Sequence, residues 1–191
     1  MRRSGRHGGE GSSDGSSDGA GGAAGRTVDR RTLGAWVLKC NPAVWDLRGL
    51  LDAGERRLTS WAVHPSYRTQ LVRPGDRVLF WVSGPGHDRL TRGIWGLGHT
   101  VAEAEPWVES AQGFWRTASA SHAVRERVEI DVELLEAPVA DVQLRAAGVD
   151  HLEVQRQPFM ANPSFVTGDQ LDEMGPLLPT WPAAPAARSP S

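Results

Sequence analysis

The chain has 191 residues, 39% of them hydrophobic, with a formal net charge of −2. That is length enough for one domain with a real core, and so even a charge balance excludes salt-driven adhesion to nucleic acid over the whole surface. No stretch approaches the roughly 20 apolar residues of a membrane-crossing helix, so no membrane partner is expected; the single cysteine, Cys40, excludes an internal disulfide and fits a reducing, cytoplasmic setting.

Residues 1–34 carry Gly-Ser-Ser-Asp-Gly-Ser-Ser-Asp-Gly and no apolar periodicity. Such a segment buries too little to offset its ordering entropy and reads as a disordered tail. No apolar stretch follows Arg2 and Arg3, so it is not a signal peptide. The folded domain is expected over 35–181, and the Pro/Ala-rich residues 182–191 read as a second tail.

Trp36 to Cys40 is a short apolar run that predicts a buried strand. Asn41-Pro42 suits a helix start, with Val44, Leu47, Leu50 and Leu51 at helical spacing and Gly54 at the close. Leu58 to Val63 predicts the next strand and Pro65 ends it. Ser66 to Val72 reads as one short helical turn.

The turn Pro74-Gly75-Asp76 introduces an alternating strand, with Val78, Phe80 and Val82 on one face and Leu79, Trp81 and Ser83 on the other. Its hairpin partner runs from Gly93 to Val101. Gly93, Gly96 and Gly98 inside it predict a bent ribbon, because strand glycines mark bulges or close backbone approach. Val124 to Leu135 carries the cleanest alternation: Val128, Ile130, Val132 and Leu134 on a buried face, Glu129, Asp131 and Glu133 on a wet one. Asp141 to Ala147 predicts a short helix closed by Gly148, and Thr167-x-x-Gln170 is a capping box before another that ends at Gly175. Short strands with a few small helices define an α+β domain with a bent, partly closed sheet.

Within 35–181, 14 basic residues face 19 acidic ones, and the two are segregated. Arg56 to Arg92 is net +5, whereas Glu103 to Glu153 is net −7. The arginines form an anion-facing surface if they cluster in space; otherwise they are a solvated face.

Several ordered pieces resemble the EVE domain of the PUA-like superfamily, related in fold to the YTH domain. They are Trp36-Val37-Leu38-Lys39-Cys40-Asn41-Pro42, Ser60-Trp61 with Tyr67 six residues on, Pro74-Gly75-Asp76 with Val78 to Ser83, Gly93-Ile94-Trp95-Gly96-Leu97-Gly98, and Asn162-Pro163-Ser164-Phe165-Val166. The resemblance implies a PUA-like pseudo-barrel, a mixed sheet with short flanking helices. Its pocket would accept one modified or flipped base from DNA or RNA. The common EVE pattern has Lys-Thr-Glu-Pro and Tyr-His-Ser where this chain has Lys39-Cys40-Asn41-Pro42 and Trp81-Val82-Ser83. The carboxylate and histidine of that branch are missing here, so its ligand chemistry is not carried over.

Reading one base needs a flat apolar wall and polar groups at the base edge. Eight tryptophans against one tyrosine and four phenylalanines favour such walls. Trp61, Trp81 and Phe165 are the candidates, while Trp36, Trp45, Trp95 and Trp107 are expected in the core. Asn41, Ser60, Ser83, Asn162 and Ser164 offer both donors and acceptors for the edge, although Asn41 serves equally as a helix cap and Asn162-Pro163 as a turn. Arg68 and Arg73 are candidates for flanking phosphates. Lys39, the only lysine, stands at a strand end beside the expected pocket. No histidine pairs with Cys40 or a carboxylate at metal-ligand spacing, and no phosphate loop or nucleophile elbow is present. The expected partner is therefore nucleic acid with a modified base, bound by a monomer without metal or cofactor. Two other readings remain: a small PUA-like amidohydrolase in which Lys39 tunes a carboxylate, and a protein-interaction module using the acidic face from Glu129 to Glu136.

Overall fold

The computed structural model describes residues 27–84, 90–107, 113–117, 119–120 and 126–185. Six strands form one mixed sheet: β1 (Leu33–Cys40), β2 (Arg57–Val63), β3 (Arg77–Val82), β4 (Gly93–Pro106), β5 (Glu126–Ala140) and β6 (Ser164–Thr167). Their spatial order is β2-β5-β4-β3-β1-β6. Only β1 and β3 run parallel; the other neighbours are antiparallel. The short helices are α1 (Leu47–Asp52), α2 (Asp141–Ala146), α3 (Glu153–Arg156) and α4 (Gly168–Met174).

Period-2 alternation sorts the apolar residues into two layers. Trp36, Leu38, Cys40, Val78, Phe80, Val82, Val128, Ile130 and Val132 pack with Leu47, Leu50, Leu58 and Trp61 on one face. Val37, Leu79, Trp81, Ile94 and Leu97 face the other way, under Leu144, Leu152, Leu171 and Met174 from the helical side. Both sheet faces are therefore covered, which is why β3 and β1 read as nearly continuous apolar runs.

The sheet is open in its strand pairing but bent until its ends approach each other. The backbone N–H of His64, just after β2, donates to the carbonyl of Asn162, just before β6, at 2.9 Å. The bend is built where β4 crosses β3 and β5. Register shifts fall between Phe80 and Trp81, between Ile94 and Gly96, and between Thr100 and Ala104. At Gly98 a Cβ would meet the carbonyl of Asp131 and would lie 2.6 Å from Val132 Cα, so only glycine allows β4 this close to β5.

Several boundaries differ from the sequence reading. Val28 is buried and β1 begins at Leu33, so the folded unit takes in residues ahead of position 35. Residues 1–26 of the expected tail, and 186–191 of the second, lie outside the described residues. The first helix starts at Leu47, capped by Asp46, which accepts from Gly49 N–H. Asn41 instead closes its own turn, its Oδ1 accepting from Ala43 N–H at 3.0 Å. The capping box at Thr167 and Gln170 is formed. Four-residue α3 and β6 carry no separate periodic signal; tertiary contacts select them.

His99 on β4 is 6% exposed and lies beneath Trp181, whose indole N–H donates to Gly98 O at 3.0 Å. Burial first, and then the charge of Arg77, lower its pKa, with Asp131 opposing. The unfolded chain therefore binds the proton more readily than the folded one. Stability is full above the ordinary imidazole value of 6.5 and is lost as pH falls through it toward the lowered folded value. Thermal melts are expected to weaken on acidification from neutral pH, and His99→Phe is expected to flatten that slope. An unchanged slope in the variant would refute this assignment.

Candidate functional site

At the end of β1, three groups converge on the Lys39 backbone. Asn162 Oδ1 accepts from Lys39 N–H at 2.8 Å, and Asn162 Nδ2 donates to Lys39 O at 2.9 Å. Trp61 Nε1 donates to the same carbonyl at 3.1 Å. The Asn162 amide thus substitutes for a missing strand neighbour and satisfies buried backbone groups. The Lys39 side chain, 9% exposed, donates its ammonium to the carbonyls of Pro158 and Met160. Burial lowers its pKa, partly offset by Glu153. Its amine touches no carboxylate among the described residues.

Beside this junction opens a cavity of about 800 Å³. Lys39, Asn41, Ser60, Trp61 and Asn162 line it, five of the residues singled out from sequence. Its aromatic walls are richer than expected: Trp45, Trp107, Phe114 and Trp115 line it with Trp61. Trp45 stands edge-on to Trp61, ring centroids 4.8 Å apart at 73°. Trp107 and Trp115 stand at 89° with centroids 6.3 Å apart. The far side of Trp61 rests on Phe80 at 4.7 Å and 87°, which fixes the ring. A flat ligand can stack on one indole while a perpendicular one closes its edge.

The segment 113–117 is sewn to the turn before α1. Asp46 N–H donates to Phe114 O at 2.6 Å, and Arg116 N–H donates to Val44 O at 3.0 Å. Trp45 and Trp115 form a backbone bridge. Arg116 Nε donates to Pro42 O at 2.7 Å, and Arg116 Nη2 to Asp46 Oδ1 at 2.9 Å. Trp45 and Trp107, read from sequence as core, are therefore walls. Aromatics in a polar, loosely patterned stretch such as 107–115 were the available signal, since the core already had its own strands.

The other candidates lie elsewhere. Trp81 is 1% exposed in the second layer, and the sheet separates it from the Trp61 face, so it is not a wall of this cavity. Phe165 packs in the first layer beneath the Arg68 guanidinium, 5.1 Å from its ring centroid. Ser164 is fully buried, and its hydroxyl has no hydrogen-bond partner among the described residues. Ser83 Oγ donates to Cys40 O at 3.0 Å, tying β3 to β1.

Four arginines of the strip are ion-paired, while Arg56 and Arg77 are exposed with no ion pair among the described residues. Arg57 is held by Asp131, Arg68 by Glu153 at 2.8 Å, Arg73 by Glu103 at 3.3 Å and Arg92 by Asp141 at 3.4 Å. The basic and acidic segments of the sequence meet across the fold in these four pairs. Arg68 is buried and bidentate on Glu153, and Arg73 also donates to the carbonyls of Gln70 and Val72. The Arg68 guanidinium is thereby withdrawn from solvent, whereas that of Arg73 is held through Nη1 alone and stays about half exposed. Arg89 lies outside the described residues.

No family model matches the chain, and no curated protein matches it. Solved structures do. Rpa0253 from Rhodopseudomonas palustris is similar at 21% identity and a TM-score of 0.48, over 78% of this chain and 97% of that one. Human THYN1, crystallised with DNA containing 5-methylcytosine, is similar at 15% identity and 0.48, over 75% and 96%. The DUF55 domain of human thymocyte nuclear protein 1 is similar at 17% identity and 0.47, over 75% and 97%. The mixed, bent, open sheet with its short helices is the α+β architecture expected from the motifs that resemble the EVE domain.

Proposed function

We propose that the domain is a non-catalytic binding module that takes one modified nucleobase, presented from DNA or RNA, into the tryptophan-lined cavity. The observation that carries this reading is the cavity itself: four indoles and Phe114 around a space large enough for one planar heterocycle. Its rim supplies the polar edge. Asn41 Nδ2 and the Ser60 hydroxyl have no protein partner among the described residues and remain available to a base. Asn162 shapes the floor rather than reading the ligand, since its amide is committed to Lys39. With four arginines of the strip ion-paired, affinity comes mainly from stacking and edge contacts, so a shallow salt dependence is expected. The unit acts as a monomer in this reading, in the cytoplasm.

Trp115→Ala is the discriminating variant, because Trp115 is only half-buried and its loss spares the core. Base–aromatic stacking is worth ~1–3 kcal/mol per base. Affinity for a preferred modified oligonucleotide should therefore fall by about tenfold or more at an unchanged melting temperature. The measurement is fluorescence anisotropy over a panel of modified and unmodified oligonucleotides. If no modified oligonucleotide binds better than its unmodified counterpart, or Trp115→Ala leaves the preference intact, the reading is wrong.

A further inference from the structure

The charges around the cavity say what kind of base it suits. Two cationic side chains besides Arg116 line or border the indoles, and both are committed. The Lys39 ammonium is turned onto the carbonyls of Pro158 and Met160, on the side of Glu153. The Arg57 guanidinium sits two-pronged on Asp131. Arg116, on the 113–117 segment, is bound to Asp46 and Pro42 O. One lining residue has an uncommitted formal charge: Glu55, exposed at the bend between α1 and β2, whose carboxylate has no ion pair among the described residues. Indole faces carry a negative quadrupole and attract cations, tryptophan most strongly. Among the described lining residues, four indoles with one unpaired carboxylate and no unpaired cation are thus complementary to a positively charged planar ligand.

Resting on the reading above, we infer that the base selected by this cavity is cationic: an N-alkylated heterocycle that is positively charged at neutral pH, not a neutral C- or amino-methylated one. Alkylation at a ring nitrogen spreads the charge over the flat system that stacks. The perpendicular indole of each pair then meets the alkyl group at the ring edge. The carboxylate of Glu55 offsets the charge at the rim without entering the stack.

The test uses isomeric nucleosides, which share size and composition and differ in charge at neutral pH. The pairs are 1-methyladenosine against N6-methyladenosine, and 3-methylcytidine against 5-methylcytidine; 7-methylguanosine against guanosine adds a third comparison. Binding to the full chain is read by tryptophan quenching and calorimetry. The cationic member of each pair is expected to bind about tenfold tighter, in the range set by desolvated cation–π contacts. Glu55→Gln, at an exposed site, should narrow that gap several-fold. Equal or tighter binding of the neutral isomers overturns the inference while leaving the modified-base reading in place. A trimethyl-lysine peptide that binds tighter than every nucleoside overturns it in favour of a protein tail. Failure of all nucleosides and modified oligonucleotides to bind removes both.

Discussion

Gly98→Ala is expected to abolish the cooperative fold. The added methyl would collide with the carbonyl of Asp131 and approach Val132 Cα to 2.6 Å and Asp131 C to 2.7 Å. All three are backbone atoms of the neighbouring strand, so no rotamer change relieves the clash. Relief requires β4 and β5 to separate where they pair through Gly98 and Val132. Overpacking of a core usually costs ~1–3 kcal/mol; forced separation of a central ladder exceeds that, and about 5 kcal/mol would consume most of a small domain's stability. The expected result is insoluble protein or a melt without a transition. Gly168→Ala is the control: nothing lies within 4 Å of its added Cβ and it opens α4, so stability should hold or rise by about 0.5 kcal/mol. A Gly98→Ala protein that melts like the parent would refute the close approach of the two strands.

The central strands explain what the sequence discloses and what it hides. Alternation is visible because Val78–Val82 divides between two buried layers and Val128–Leu134 between one buried layer and solvent, so a one-residue slip would invert either. Strand length is less visible. β4 runs on to Pro106 and β5 to Ala140, past the expected ends, because bulges absorb the break in periodicity and the ladder resumes. Trp81 shows the limit of periodicity for function. Alternation put it opposite Phe80, but only the helical cover showed that this face is buried. Asn41 and Asp46 show a local ambiguity, since both suit a cap and the choice was made by the segment 113–117 docking on Asp46.

The candidate site was half legible. Lys39 and Asn41 at the end of β1, Ser60 and Trp61 on β2 and Asn162 just before β6 come together at one cavity, and all five lie in the ordered motifs. Trp45, Trp107 and Trp115 were not legible as walls. A lone tryptophan carries the same signal whether it fills a core or lines a cavity. The wall exists only after residues 113–117 pair with the turn before α1, a contact between segments some seventy residues apart. Charge patterning misled in a related way. A basic block and an acidic block look like two surfaces in one dimension, yet the fold lays them side by side as ion pairs.

The most buried of those pairs yields the second large effect. Arg68 and Glu153 have side chains 9% and 11% exposed and meet through two 2.8 Å contacts. The guanidinium also donates to Pro163 O at 3.2 Å and lies over Phe165, so its position is fixed from several sides. Glu153→Ala would leave this cation buried with neutral partners only. Breaking one half of such a pair typically costs 3–5 kcal/mol, because the remaining charge has lost both water and partner. Replacing both halves, as in Arg68→Met with Glu153→Leu, should cost clearly less than Glu153→Ala alone, since no charge is then left in the interior. Urea unfolding of the single and double variants measures the difference. A different outcome is required if Arg68 served an incoming phosphate: the double variant would keep its stability and lose oligonucleotide affinity. With the guanidinium already saturated by Glu153 and Pro163 O, the double variant is expected to bind oligonucleotide as the parent does, and a tenfold loss would return Arg68 to the binding surface.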